Sequence, residues 1–484
     1  MRFLGFIIFF SCFFNSFGQD TFYKLYSGNG FDKGEGIVQL PDSSYVLTGS
    51  SGSFAEHNQT YLLAVDKAGN YMWSKSYGGP ESDLGKRVLH IPNSGYLIAG
   101  ISNSYGQGDF DAFLIKTDLN GQEEWIKNYE VPNSWEKIND ATLTLDSGVV
   151  MVGEILPMSN GNSDIYLIRT DKNGDTLWTK RWGTEGNEFA TSIVNKGSGF
   201  IISGQWYIAD STLVKGLLLE IDGDGNEIWR DTITDIDGSY SITDISISNS
   251  KIYVVGRNET PTKIRGYFGV FDLNGNLLNQ YSQNMSDGKN ECRQVAYNAM
   301  LDKVVVSYHL FNPGTYQDDY DLVYAYFDSQ FLYWMNQSNS VSNEGRDDVG
   351  QIIPTSDGGF IGVGFSHSTG SSAFTFNGGS HIYLFKVSAS NVFPFTENVV
   401  LMNQLVSLNE VETFNGRYYP NPVREKLFIE INTQNEQTYQ LFDLFGNQLQ
   451  KGTIIKQSEI DFVELPKGIY LLKVGNSTFK VIKD

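Results

Sequence analysis

Residues Tyr71–Gln122 read YMWSKSYGGPESDLGKRVLHIPNSGYLIAGISNSYGQGDFDAFLIKTDLNGQ, and the next residues repeat the pattern as EEWIKNYEVPNSWEKINDATLTLDSGVVMVGEILPMSNGNSDIYLIRTDKNGD. An Asp followed by a turn marks the same point in each copy: Asp66, Asp118, Asp171, Asp222, Asp272 and Asp328, with Ser388 as a degenerate seventh. These markers lie 52, 53, 51, 50, 56 and 60 residues apart, too long for a β-helix coil and right for one propeller blade. Within Tyr71–Gln122 and the residues that follow, four strands are expected, near Leu84–Ile91, Tyr96–Ser102, Asp111–Asp118 and Glu123–Tyr129. The third holds a nearly continuous apolar run, Phe113–Leu114–Ile115, as a strand covered on both faces requires. The fourth alternates aromatic, Lys, aromatic with a period of two: Trp73, Lys75, Tyr77; Trp125, Lys127, Tyr129; Trp178, Lys180, Trp182. Short hairpins rich in Gly, Asn and Asp join strands one and two (PNSG, LDSG, KGSG) and strands three and four (LNG, KNG).

The same fourth-strand pattern appears at Phe22, Lys24 and Tyr26, before any first, second or third strand. The last copy supplies three strands, near Val349–Ile353, Phe360–Phe365 and Ile382–Val387, and then leaves for a different composition. The N-terminal strand is therefore expected to complete the last blade. The count gives an all-β ring of seven four-stranded antiparallel blades, closed without open sheet edges. The order YGG…D, GYLIAG…S, DAFLIKTD.NG and W…Y resembles the bacterial seven-bladed β-propeller repeat family over about Phe22–Ser390. Copies five and six depart most, losing the first-strand glycine pattern and, in copy six, the NG turn. The resemblance implies a fold and no activity.

At the N-terminus, Arg2 precedes an apolar run to Phe17 that is too short to span a bilayer and has the layout of a secretory signal ending at Gly18. Cys12 as a lipidated cysteine is the alternative, but Phe9, Phe10, Phe13 and Phe14 around it suit a signal core better. The remaining chain then holds one cysteine, Cys292, so no disulfide framework is expected. The 50 Gly, 27 Tyr and 32 Phe favour strands and turns over helices. A formal charge of −21 argues against nucleic acid or an anionic membrane as a partner.

The repeat stops at Ser390, and residues 391–416 read as a linker. From Arg417 the chain is short, strand-rich and punctuated by turns, which predicts a small antiparallel β-sandwich over residues 417–484. Tyr419-Pro420-Asn421-Pro422 opens it, with the prolines barring strand pairing at the entry. Asp443, Gly446, Leu465, Pro466, Gly468, Ile469 and Tyr470 follow in order, and the tail Lys480-Val481-Ile482-Lys483 ends it before a departing Asp484. These residues resemble the type A C-terminal sorting domain of substrates of the type IX secretion system. The resemblance implies the secretion machinery as a partner. It also implies passage through the outer membrane, and release or attachment to surface lipopolysaccharide after the domain is removed.

Motifs for chemistry are scarce. His57, His90, His309, His367 and His381 lack metal-ligand spacing, and no GxSxG elbow occurs, so no catalytic residue, metal or cofactor is expected. Asp222-Gly-Asp224-Gly-Asn226-Glu227 resembles the start of a calcium loop, but Ile233 stands where the bidentate Glu belongs and the segment falls at the hairpin of every other blade. Topology points elsewhere. If the one–two and three–four turns share one face, the longer two–three and four–one loops lie on the other. The two–three loops, such as SNSYGQGDF, WYIADSTLV, FNPGTYQDD and SHSTGSSAFTFNGG, carry aromatic, amide and acidic side chains suited to sugars or a protein surface. Tyr105, Asp109, Trp206, Tyr207, Tyr316, Asp318 and His367 are the candidate ligand-binding residues. Three functions compete: a non-enzymatic surface binding or adhesion protein, monomeric, for glycan or protein; a polysaccharide hydrolase or lyase with its site at the central channel; and a structural surface component. The first is favoured.

Overall fold

In the computed structural model, the described residues run from 21 to 483, with exceptions. These are 29, 54, 56, 107–109, 160, 210, 235–237, 249, 284–289, 312–319, 329–333, 336–346, 367–379, 388–396, 402–415, 432–436, 443–447, 464 and 475–476. The expected signal segment, Cys12, Asp109, Tyr316, Asp318, His367, Asp443 and Gly446 lie outside the described residues. The chain divides into two compact units, Met1–Met402 and Asn403–Asp484.

In the first unit, alternating and apolar stretches form antiparallel sheets in sequence order. Blade one comprises Asp32–Gln39, Tyr45–Ser51, Gln59–Val65 and Tyr71–Tyr77. Blade two comprises Asp83–Ile91, Gly95–Ser102, Asp111–Thr117 and Glu123–Tyr129, within a residue of the boundaries expected from sequence. Blades three to six begin at Ser134, Asn187, Ser239 and Asn290. Second and third strands are buried along their length in blades one and two, because neighbouring blades cover both faces. First strands pack blade to blade around the circle, and that of blade seven (Asp347–Pro354) returns to that of blade one. The result is a closed seven-bladed β-propeller.

The last blade is completed from the other end of the unit. Phe22–Ser27 pairs antiparallel with His381–Val387, placing Phe22 opposite Lys386 and Tyr26 opposite Ile382. A further strand, Glu397–Leu401, pairs parallel with Phe22–Ser27 and makes this sheet five-stranded. This differs from the reading of residues 391–416 as a linker. Its Val399-Val400-Leu401 run is strand-forming, and it covers a sheet edge that would otherwise stay open.

The fourth-strand motif acquires a role in this packing. Tyr26 Oη donates to Gly69 O at 2.6 Å, Tyr77 Oη to Gly121 O at 2.6 Å and Tyr129 Oη to Gly174 O at 2.8 Å. In each case the acceptor is the three–four turn of the next blade. The first aromatic of the motif lies against the same glycine: a Cβ on Gly121 (φ 73°) would sit 2.6 Å from Trp73, and one on Gly69 (φ 74°) 2.7 Å from Phe22. The lysine reaches the turn's next residue, as Lys24 Nζ donates to Asn70 Oδ1 at 3.1 Å. Each turn is organised by its Asp. Asp118 Oδ1 accepts from the backbone N–H groups of Asn120 and Gln122 at 2.8 and 2.7 Å. Asp222 accepts in the same way from Asp224 and Asn226 at 2.9 and 2.8 Å, so the calcium-like segment is this turn.

Among the described residues, the second unit holds two sheets. Gly416–Tyr419, Lys426–Ile431 and Gln457–Asp461 form one; Gln448–Ile454, Gln437–Phe442, Gly468–Val474 and Ser477–Lys483 form the other. Leu427, Ile429 and Ile460 of the first and Leu441, Ile454 and Leu472 of the second share one buried cluster.

Candidate functional site: the central channel and the sorting-motif edge

All seven first strands carry a register shift near the same point. It falls at Gly34/Gly36, Gly85/Arg87, Ile138/Asp140, Ala190/Ser192, Ile242/Asp244, Cys292/Val295 and Val349/Gln351. Each shift leaves Glu35, Lys86, Asn139, Thr191, Thr243, Arg293–Gln294 or Gly350 without a cross-strand partner. A bulge re-aims its extra residue, and every one of these residues lines a single cavity of about 240 Å³ in the channel, with Arg87, Lys137, Phe189, Gln205 and Val349. The lining residues of the first strands fall about mid-strand, and Gln205 stands near the two–three loop end of its own strand, Gly199–Tyr207.

Behind the wall, a polar belt ties blade to blade. Asp140 accepts the Arg87 Nε–H on one oxygen, and on the other the Ser192 hydroxyl at 2.7 Å and the Ile193 N–H at 2.9 Å. Burial disfavours the Arg87 charge, but Asp140, Asp244 and Glu35 together outweigh it and hold the guanidinium pKa above its ordinary value. Asp244 accepts the Val295 N–H at 2.9 Å, and Gln351 Oε1 accepts the Ile37 N–H at 2.8 Å across the closure. Burial pushes Asp244 up to about 6, against the pull of its Val295 hydrogen bond and of Arg87. On the wall, Lys86 Nζ donates to Glu35 Oε1 and Lys137 Nζ to Glu154 Oε1, both at 3.1 Å. Arg293 lies 3.2 Å from Glu291 and 3.3 Å from Asp348, whose Oδ1 is also 3.3 Å from His309 Nε2.

The sequence candidates distribute unevenly about this cavity. Tyr207 is exposed and stacks on the wall residue Phe189, with ring centroids 5.7 Å apart and planes at 29°. Trp206 is half-buried, with Lys215 Nζ 5.1 Å from its ring centroid. Tyr105 is half-buried in the blade-two loop, where burial, then Asp83 and Glu123, raise its pKa. The wall residues themselves were not among the candidates. A bulge inserts one residue into a period-two strand, so alternation alone cannot say which of two neighbours faces the channel.

In the second unit the structure joins the two ends of the sorting motif. Asn421 Oδ1 accepts the Ile482 N–H at 2.8 Å, and Val423 N donates to Ile482 O at 2.7 Å. Lys483 Nζ donates to Arg424 O, and Tyr470 Oη donates to Pro466 O at 2.5 Å. Gly416–Tyr419 stops where Pro420 begins, as a residue without an N–H requires. Gly468 opens the strand that Tyr470 buries, and Lys480 pairs with Leu471 across to that strand. Pro422 stands between the Asn421 acceptor and the Val423 donor.

Residues 417–484 match the family described as the secretion system C-terminal sorting domain. The chain is a β-propeller protein with a type IX sorting tail. The sorting tail implies interaction with the type IX secretion machinery, and secretion or cell-surface attachment of the propeller. A curated relative, the regulatory protein FlaEY of Caulobacter vibrioides, is 27% identical over 201 residues, covering 35% of this chain. The chain spans only 21% of that relative's length. Solved structures similar to the propeller include the Pan2 WD40 domain of Neurospora crassa, at 13% identity and a TM-score of 0.45, covering 78% of this chain and 98% of that one. The β-propeller domain of the trilobed protease from Pyrococcus furiosus has 10% identity and a TM-score of 0.42, covering 77% and 97%.

Proposed function

We propose that the propeller is a non-enzymatic binding or adhesion module, carried to the outer face of the outer membrane or released there by its sorting tail. Its ligand site is the loop-side end of the central channel. The observation that carries this reading is how the inner carboxylates are used. Among the described residues, Glu35 is the one carboxylate that lines the cavity, and it is bonded to Lys86. Asp140 and Asp244 commit oxygens to backbone N–H groups of neighbouring blades. Glycoside hydrolysis needs two carboxyl groups flanking one bond, and this wall offers none in that relation. A polysaccharide lyase or hydrolase draws support from the His309–Asp348–Arg293 group. His309 is buried and absent from the wall, which favours a packing contact with Asp348 over proton transfer to a bound sugar. The test is to screen the chain Asp20–Asp484 against a glycan array and surface proteins, with polysaccharide turnover assayed in parallel. Binding without turnover supports the module; turnover abolished by His309→Ala establishes the enzyme instead.

A further inference from the structure

We infer that the channel cavity binds the anionic group of an acidic sugar; this rests on the binding-module reading and gives its ligand a chemical class. The chain carries a formal charge of −21, yet among the described residues the wall presents Lys86, Arg87, Lys137 and Arg293 against Glu35 alone. The carboxylates that pair with the other three cations, Asp140, Glu154, Glu291 and Asp348, are not among the cavity-lining residues.

Hydrogen-bonding capacity narrows the choice. Three neutral polar side chains of the wall each commit a donor to backbone. Asn139 Nδ2 donates to Ala190 O at 2.7 Å, Thr243 Oγ1 to Cys292 O at 2.8 Å and Gln205 Nε2 to Ile242 O at 3.2 Å. Arg87 is held by Asp140 and by Glu35 O. An ammonium has three donors, and among the described residues Lys86 and Lys137 each use one, toward Glu35 and Glu154. Each ammonium thus keeps two donors for a ligand, against one on each of the Asn139 and Gln205 amides, and charged donors strengthen most when the acceptor is charged. Phe189, backed by Tyr207, adds a flat apolar surface to the same wall, suited to the C–H face of a sugar ring. At about 240 Å³ the cavity is smaller than the roughly 300–1,000 Å³ that encloses a drug-sized ligand. It therefore takes one terminal residue, with the rest of the glycan passing out across the loop face.

The test is titration calorimetry of the chain Asp20–Asp484 with oligogalacturonides (carboxylate), sulfated dextran oligosaccharides (sulfate), neutral dextran oligosaccharides and a carboxylate-ended peptide. Binding of either acidic sugar is expected, and the stronger of the two identifies the anion. The double variant Lys86→Gln, Lys137→Gln is expected to weaken it about tenfold or more, with thermal unfolding unchanged. Because a double variant could perturb the ring, Phe189→Leu provides a second measurement, expected to lower affinity for the sugar while leaving residual attraction for the anion. Neutral sugars binding as tightly as acidic ones would overturn the anion assignment and leave the binding module standing. A peptide preferred over every sugar would overturn the sugar assignment. Silence toward both acidic sugars overturns the inference, and silence on the broad screen as well removes the binding reading.

Discussion

Deleting Thr21–Gly28 removes the strand on which ring closure depends. Four of its side chains, Phe22, Tyr23, Leu25 and Tyr26, are at most 5% exposed. Truncating a buried aromatic costs about 3–5 kcal/mol and a buried Leu about 2–5 kcal/mol. Four such losses come to about 10 kcal/mol or more, comparable to the roughly 5–15 kcal/mol that holds a folded domain together. The deletion also removes the Tyr26–Gly69 and Lys24–Asn70 bonds that latch the seventh blade to the first, and exposes the edge of His381–Val387. Thermal unfolding followed by circular dichroism, with hydrogen exchange resolved by blade, measures the outcome. Loss of the main transition, or its shift to a much lower temperature with exchange rising first in blades seven and one, is expected. Tyr77→Phe serves as a control, since it removes one equivalent bond inside the ring and should cost only about 1 kcal/mol. An unfolding temperature unchanged by the deletion would refute the closure argument outright.

Other perturbations test separate contacts. Gly121→Ala forces a side chain onto a positive φ and into Trp73, so a loss of at least about 1–2 kcal/mol is expected from urea unfolding midpoints. Asp140→Ala strands the buried Arg87 charge and should cost about 3–5 kcal/mol in the same assay, whereas breaking an exposed pair such as Lys426–Glu459 should leave the midpoint nearly unchanged. Burial, and the neighbouring Asp111, push Glu136 up to about 8, only partly offset by the Ser134 and Val131 hydrogen bonds. A folded-state pKa above the unfolded value means the native state holds the extra proton. Stability from this group is full below about pH 4.5 and is lost as pH rises through 8. Glu136→Gln should flatten that decline in unfolding midpoints measured from pH 5 to 9, and an unchanged slope would contradict it.

The blades were legible because their signals are local. Phe113–Leu114–Ile115 could only be a doubly covered strand, and Trp73-x-Lys75-x-Tyr77 could only be a strand edge, whichever neighbour it met. Closure was legible for the same reason, since Phe22, Lys24 and Tyr26 repeat that edge out of order. The channel was not, because its lining depends on the seven bulges. Whether Glu35 or Gly36 meets the cavity turns on a one-residue slip that leaves the alternation around it intact. The loop candidates were chosen by composition, and of these Tyr207 reaches the wall through Phe189, a residue that read simply as strand. The covering strand Glu397–Leu401 was also missed, since it follows a polar stretch and pairs with residues at the opposite end of its unit.

The pairing of Phe22–Ser27 with His381–Val387 has a consequence for biosynthesis. The first strand of the unit to be made waits for the last of its blades: Phe22 and Tyr26 can meet the blade-one turn at Gly69 early, but the antiparallel partner strand does not exist until that blade does. Contacts so distant in sequence form slowly, because the entropy of closing the whole loop must be met first. A chain cut short anywhere before Val387 would leave that first strand unmatched. The sorting tail is translated only after those strands, so every chain bearing it has already been supplied with the means to shut its ring. Export and completeness are thereby tied together by chain order alone.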